Sequence, residues 1–180
     1  MKWTCPGTTL VLIGYMGSGK STIGKLLANY YDIPFIDLDA FIEEKEKHSV
    51  SEIFNRYGEV YFRKVEKKQL THLMTEKKQR IIALGGGTPC YYNTIKELNS
   101  DSNSITCYLK ASLKTIVNRV FSERNKRPIL SHLATEHAAL EFVGKHLFER
   151  APYYEQAQFI INTNEKEKEE VVNEIIQKLA

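Results

Sequence analysis

Gly14-Tyr15-Met16-Gly17-Ser18-Gly19-Lys20-Ser21-Thr22 matches G-x-x-x-x-G-K-[ST] without a gap. Upstream, Thr9-Leu10-Val11-Leu12-Ile13 is a short, β-branched-rich apolar run that reads as a buried strand. Downstream, Ile23, Leu26, Leu27 and Tyr30 recur at helical spacing. Strand, glycine loop and helix in that order are the setting in which such a loop holds phosphate. The glycines let the main chain turn tightly and approach an anion without Cβ clashes. The loop N–H groups of Gly17, Ser18, Gly19 and their neighbours, with the positive end of the helix, then face the phosphates. Lys20 reaches the β- and γ-phosphate oxygens, and the Ser21 hydroxyl is placed to ligate Mg²⁺. A glycine-rich turn that only happens to precede a helix is the bland alternative, and the flanking strand and helix argue against it.

Outward from the loop, apolar strands alternate with helices. The first strand is read at 8–13 and the first helix at 19–31. Phe35-Ile36-Asp37-Leu38-Asp39 is a second strand ending in carboxylates, followed by a helix through Phe41 and Ile42 to about His48. Ser51-Glu52-Ile53-Phe54 opens a short helix that stops near Gly58. Glu59–Lys78 is a longer helix with Phe62, Val65, Leu70 and Leu73 inward. Arg80–Leu84, Ile105–Leu109 and Phe159–Ile161 are three further strands, with helices at 112–122, 135–150 and 166–179. Alternation of this kind implies a parallel sheet covered on both faces, with ligands beyond the carboxyl ends of the strands. The charge run Glu165–Glu170 reads as a solvated helix start.

With 180 residues, 42% hydrophobic and 26% charged, one soluble globular domain is expected. A net charge of +3, spread along the chain, gives no reason to invoke nucleic acid. No apolar run approaches the roughly 18 residues that span a bilayer. Cys5, Cys90 and Cys107 are odd in number and lack C-x-x-C spacing, which fits reduced thiols in a cytoplasmic protein.

The phosphate loop fixes a donor, and other residues constrain the acceptor. Asp37 and Asp39 share a face if the second strand runs that far. One carboxylate near Mg²⁺ and one near an acceptor hydroxyl suit phosphoryl transfer, although Asp39 could simply cap the next helix. Arg63 lies beside inward-facing Phe62, with Glu66 one turn on to hold it. Arg150 lies at a helix end, two residues before Pro152. Two arginines converging on one place suit a carboxylate, whereas each alone is more often a surface residue. Gly85-Gly86-Gly87 after a strand permits close backbone approach to a ligand, or is a loose turn. Arg127-Pro128 lies in a polar basic segment, readable as a flap over phosphates or as an ordinary loop.

Taken together, the chain resembles the shikimate kinases over nearly its whole length. The shared features are G-Y-M-G-S-G-K-S-T at 14–22, D-x-D at 37–39, G-E-x-x-F-R-x-x-E at 58–66, G-G-G at 85–87, R-P at 127–128 and R-x-P-x-Y at 150–154. The resemblance implies ATP-dependent, Mg²⁺-dependent phosphorylation of the shikimate 3-hydroxyl, toward chorismate and the aromatic amino acids. It implies a three-layer α/β P-loop kinase fold, with a five-stranded parallel sheet ordered 2-3-1-4-5 and helices on both faces. The single domain 1–180 would comprise the core, a substrate-binding helical region at about 39–66 and a lid at about 123–134.

The same resemblance assigns roles. Lys20, Asp39 and Arg127 would be catalytic. Gly17, Ser18, Gly19, Lys20, Ser21, Thr22, Arg119 and Arg127 would bind ATP, with Arg124 and the neighbourhood of Lys166 as further candidates near the adenine. Asp39, Arg63, Gly85, Gly86, Gly87 and Arg150 would bind shikimate. Ser21 would ligate Mg²⁺ directly and Asp37 through water. The expected protein is a cytoplasmic monomer with no nucleic-acid or membrane partner. Two other readings compete: a kinase for another small polyol acid such as gluconate, or for a nucleotide, and a P-loop module that binds ATP without turnover.

Overall fold

Side chains alternate across β1 (Thr9–Ile13), and that alternation divides the core in two. Leu10 and Leu12 join Ile23, Leu27, Val171, Val172 and Ile175 on one side. Val11 and Ile13 join Ile42, Ile53, Phe62, Val117 and Val143 on the other. The computed structural model describes residues 7–121 and 135–180. Around β1 lie β2 (Phe35–Asp37), β3 (Arg80–Ala83), β4 (Ser104–Lys110) and β5 (Phe159–Asn162). All pairings are parallel and the order is β2-β3-β1-β4-β5, as the resemblance implies.

On the Leu10 side pack α1 (Lys20–Tyr31) and α7 (Lys168–Leu179). The opposite face carries α2 (Leu38–Glu46), α3 (Val50–Thr75), α4 (Thr94–Ser100), α5 (Leu113–Phe121) and α6 (Glu136–Tyr154). β1 lies between β3 and β4, and the chain leaves β1 by α1 on one face and β3 by α4 on the other. A crevice opens at that switch point, beyond the strand ends.

Several boundaries differ from the sequence reading. β2 ends at Asp37, not Asp39. Asp37 is the N-cap of α2 and accepts from the Ala40 N–H at 3.4 Å, so Asp39 sits in the first helical turn and is not the cap. In α1 the buried tyrosine is Tyr31, while Tyr30 is half exposed. α3 starts one turn-residue earlier than expected, because Ser49 and Glu52 form a reciprocal capping box. Its two expected halves form one run interrupted only at Gly58 (φ 79°, ψ 171°). α4 was not expected. Its signal is the pair Ile95 and Leu98, both buried, which is too short a repeat to stand out. α6 continues past Arg150 through Pro152 to Tyr154. The carbonyl that Pro152 leaves without its helical donor belongs to Phe148, a residue that is 81% exposed.

Candidate active site

A cleft of about 730 Å³ opens at the carboxyl edge of the sheet. One wall is the loop and helix start from Met16 to Ile23, which includes the expected loop residues Gly17 to Thr22. Gly17 has φ 77°, and a Cβ there would meet the Val120 side chain at 2.6 Å. The Lys20 ammonium donates to the carbonyls of Gly14 (2.8 Å) and Tyr15 (3.0 Å), which holds it along the loop. Arg119, from α5, donates to the Gly17 carbonyl at 3.1 Å and also lines the cleft. Lys166, Glu167 and Lys168 close the side near α7, the region expected to face a base.

On the sheet side, the Ser21 hydroxyl donates to Asp37 Oδ2 at 2.8 Å. Two hard oxygen ligands beside a phosphate loop fit Mg²⁺, which commonly keeps one or two protein ligands and completes its shell with phosphate and water. Among the described residues no group of three or more His, Cys, Asp or Glu forms a separate metal cage.

Asp39 also lines the cleft. Its carboxyl is pushed up to about 6, first by burial and then by the negative charges of Glu66 and Asp37; Lys20 and Arg63 oppose the rise. A carboxylate tuned to this range is suited to accept a proton near neutral pH.

Gly85-Gly86-Gly87 connects the remaining residues. A Cβ on Gly85 would lie 2.9 Å from Asp39 Oδ1. One on Gly86 would lie 3.6 Å from Arg150 Nη1 and 3.7 Å from the Met16 nitrogen, and one on Gly87 would lie 2.5 Å from Arg63 Nη2. Three side chains and the phosphate loop thus converge on three consecutive glycines. Arg63, Gly87 and Arg150 stand just outside the cleft lining, which ends at Gly85 and Gly86.

Arg63 is not the surface arginine that a lone reading allowed: it is 8% exposed. Its Nη1 donates to Glu66 Oε2 at 2.8 Å, as the spacing of the two residues suggested. Glu66 Oε1 accepts from the Thr88 hydroxyl at 2.6 Å, so both its oxygens are engaged. Arg150 lies over the Tyr15 ring at 5.6 Å. One turn further, the buried Tyr154 donates its hydroxyl to the Gly86 carbonyl at 2.5 Å. Thr88 and Tyr154 were given no role from sequence. Thr88 directly follows the glycines and Tyr154 closes R-x-P-x-Y, but nothing local marks either as a tie to the loop. Arg124 and Arg127 lie outside the described residues, as does the expected lid.

Residues 16–180 match a family model described as shikimate kinase. The chain belongs to the shikimate kinase family. A shikimate kinase of Flavobacterium johnsoniae is 43% identical over 171 residues, covering 95% of this chain and 98% of that one. One from Flavobacterium psychrophilum is 44% identical over 166 residues, with 92% and 95% covered. The crystal structure of shikimate kinase from Bacteroides thetaiotaomicron superposes with a TM-score of 0.87 at 35% identity, covering 96% and 98% of the two chains. A shikimate kinase from Acinetobacter baumannii, in complex with shikimate, gives 0.83 at 30% identity, with 98% and 93% covered. Membership of the shikimate kinase family makes this chain an ATP-dependent kinase. A gluconokinase from Sinorhizobium meliloti 1021 gives 0.57 at 16% identity, which is a likeness of fold alone.

Proposed function

We propose that the chain transfers the γ-phosphoryl group of ATP to the 3-hydroxyl of shikimate, giving ADP and shikimate 3-phosphate for the chorismate route to aromatic amino acids. The observation that carries this reading is the triglycine loop, whose three residues abut Asp39, Arg150 and Arg63 in turn beside the phosphate loop. A cyclic polyol acid needs that combination: arginine for the carboxylate, a carboxylate for the hydroxyls, and phosphate within reach.

The roles follow from chemistry and, for the described residues, from position; that of Arg127 follows from the resemblance alone. Lys20 and the amides of Gly17 to Thr22 hold the triphosphate, Arg119 borders it, and Arg127 adds positive charge at the transferring group. Ser21 would hold Mg²⁺ directly and Asp37 through water; when bound, the ion neutralises phosphate charge. Arg63 and Arg150 grip the acid, and Gly85 to Gly87 let the ring lie against main chain. Asp39 orients the 3-hydroxyl and takes its proton as the new O–P bond forms and the bond to ADP breaks. Positioning and fixed charge supply most of the rate, since the phosphoryl group needs little covalent help. The reading includes a cytoplasmic monomer without nucleic-acid or membrane partners, in keeping with the mild charge; no described helix is long and apolar enough to cross a membrane.

The test is ADP release with shikimate, gluconate and AMP offered in parallel, with Mg²⁺ present and with it chelated. Turnover with shikimate alone, lost on chelation and restored by Mg²⁺, is expected. Turnover with gluconate or AMP in its place would overturn the acceptor, and turnover with none would make the chain an ATP-binding module.

A further inference from the structure

Tyr91 belongs to none of the motifs quoted above, yet its ring is the nearest aromatic partner of Arg63. The Arg63 Cζ lies 4.4 Å from the Tyr91 ring centroid, against 5.2 Å for Phe62 and 5.9 Å for Phe54. The Tyr91 hydroxyl donates to Glu59 Oε1 at 2.8 Å, and the same oxygen accepts from Arg63 Nε at 3.4 Å. The main chain of Tyr91 is fixed as well. Its carbonyl accepts from both the Thr94 hydroxyl (2.7 Å) and the Thr94 N–H (3.0 Å) at the start of α4. Arg63 is therefore held from several directions: Glu66 on Nη1, Glu59 on Nε and the Tyr91 ring beside Cζ. Phe62 and Phe54 complete the enclosure. Nη2 points toward Gly87.

We propose that Tyr91 is a positioning residue for the acid-binding subsite, its ring fixing the plane of the Arg63 guanidinium and shielding it from water so that the substrate carboxylate meets a preoriented fork. The physical reason is twofold. A bidentate carboxylate contact needs the guanidinium in one plane, and a ring with its centroid 4.4 Å from Cζ limits how that plane can tilt. Removing water from one face also strengthens the attraction between Arg63 and an incoming anion. The main-chain ties to Thr94 keep the residue in place, with the hydroxyl contact to Glu59 as a second tie, although Tyr91 itself is 37% exposed. Because the ring is that exposed, its removal leaves no cavity in the core. The inference rests on the reading of Arg63 as an acid-gripping residue and adds the element that aims it.

The experiment compares Tyr91→Phe, Tyr91→Leu and Tyr91→Gln with the native enzyme, measuring KM for shikimate, KM for ATP, kcat and Tm. Loss of the ring in Tyr91→Leu and Tyr91→Gln should raise KM for shikimate about tenfold, the size of a partly desolvated cation–π contact. KM for ATP and kcat should stay within about twofold, since Tyr91 touches neither the phosphate loop nor Asp39. Tyr91→Phe keeps the ring and should recover most of the native KM. A shikimate KM within about twofold of native in both ring-less variants would overturn the proposal. So would equal losses in the ATP and shikimate constants accompanied by a lowered Tm, which mark a merely structural role. Arg63→Lys, assayed in parallel, separates the two readings. If it leaves KM for shikimate unchanged, the Arg63 assignment fails; if it raises that KM while the Tyr91 variants do not, only the Tyr91 proposal fails.

Discussion

Asp39 carries the sharpest test at the level of single residues. With its carboxyl held near 6, kcat/KM should fall along an acidic limb with an apparent pKa of about 6. Asp39→Asn should remove that limb and lower kcat by at least about 100-fold while ATP binding, followed by calorimetry, persists. The same displacement has a cost in stability. Its folded value lies above the ordinary 3.8, so the folded state binds the proton more tightly than the unfolded one. The penalty is therefore fully present above about 6 and disappears as pH falls below the unfolded value. Asp39→Asn should then be more stable than native at pH 7.5, by up to about 3 kcal/mol, with the gain reduced to about 0.5 kcal/mol at pH 4. Urea melts at both pH values would show it. Arg63 yields a different pattern. Arg63→Ala should raise KM for shikimate by about 10- to 100-fold and leave KM for ATP almost unmoved. It also leaves Glu66 buried without its cation, so a stability loss of about 3 kcal/mol should accompany it in the same melts. Of the candidate site residues, Lys20, Ser21, Asp39 and Arg63 were legible because motifs name them. Tyr91 and Thr88 were not, since only the folded chain brings them against Arg63 and Glu66.

Among the elements, the loop after β3 and the joint between α1 and β2 depend most on the absence of a side chain. A methyl on Gly87 would fall 2.5 Å from the Arg63 guanidinium. Gly87→Ala should therefore raise KM for shikimate by about tenfold or more with a modest Tm change, because the arginine must swing aside. Gly24 shows the opposite balance. A Cβ there would lie 2.3 Å from the Phe35 ring, where α1 crosses β2. Gly24→Ala should destabilise by about 1–3 kcal/mol, read as a lowered Tm, through overpacking of that contact. Strands were the easiest elements to read, since buried parallel strands appear as continuous apolar runs. Element ends were harder. The apolar-acidic alternation of 35–39 looks extended, but Asp37 caps a helix instead, and that outcome depends on where α2 packs. Short α4 escaped notice because two apolar residues one turn apart carry too little periodic signal.

For the molecule as a whole, the sheet order places both halves of the candidate site at one rim. β1 delivers the phosphate loop, β2 delivers Asp37 and leads to Asp39, and β3 delivers the triglycine loop. α3 and α6 then bring Arg63 and Arg150 to those glycines from sequence positions far apart. Because ligand binds only the folded site, shikimate at 100 times its Kd should add about 2.7 kcal/mol of stability, and Arg63→Lys should blunt that gain in thermal melts. The topology was readable before the structure because alternating elements leave few parallel arrangements and the shared motifs select one. What no linear reading supplies is how α6 docks. Arg150 meets Gly86 because Tyr154, one turn on, is anchored to the same residue's carbonyl. Finally, the break at Gly58 has a mechanical meaning. It leaves Phe54 on one rigid rod and Arg63 on the next, joined by a single residue around which a Cβ would find no neighbour within 4 Å. A swivel of the outer rod would have its axle there, and it would carry Phe54 off the ring of Phe62 and away from Arg63.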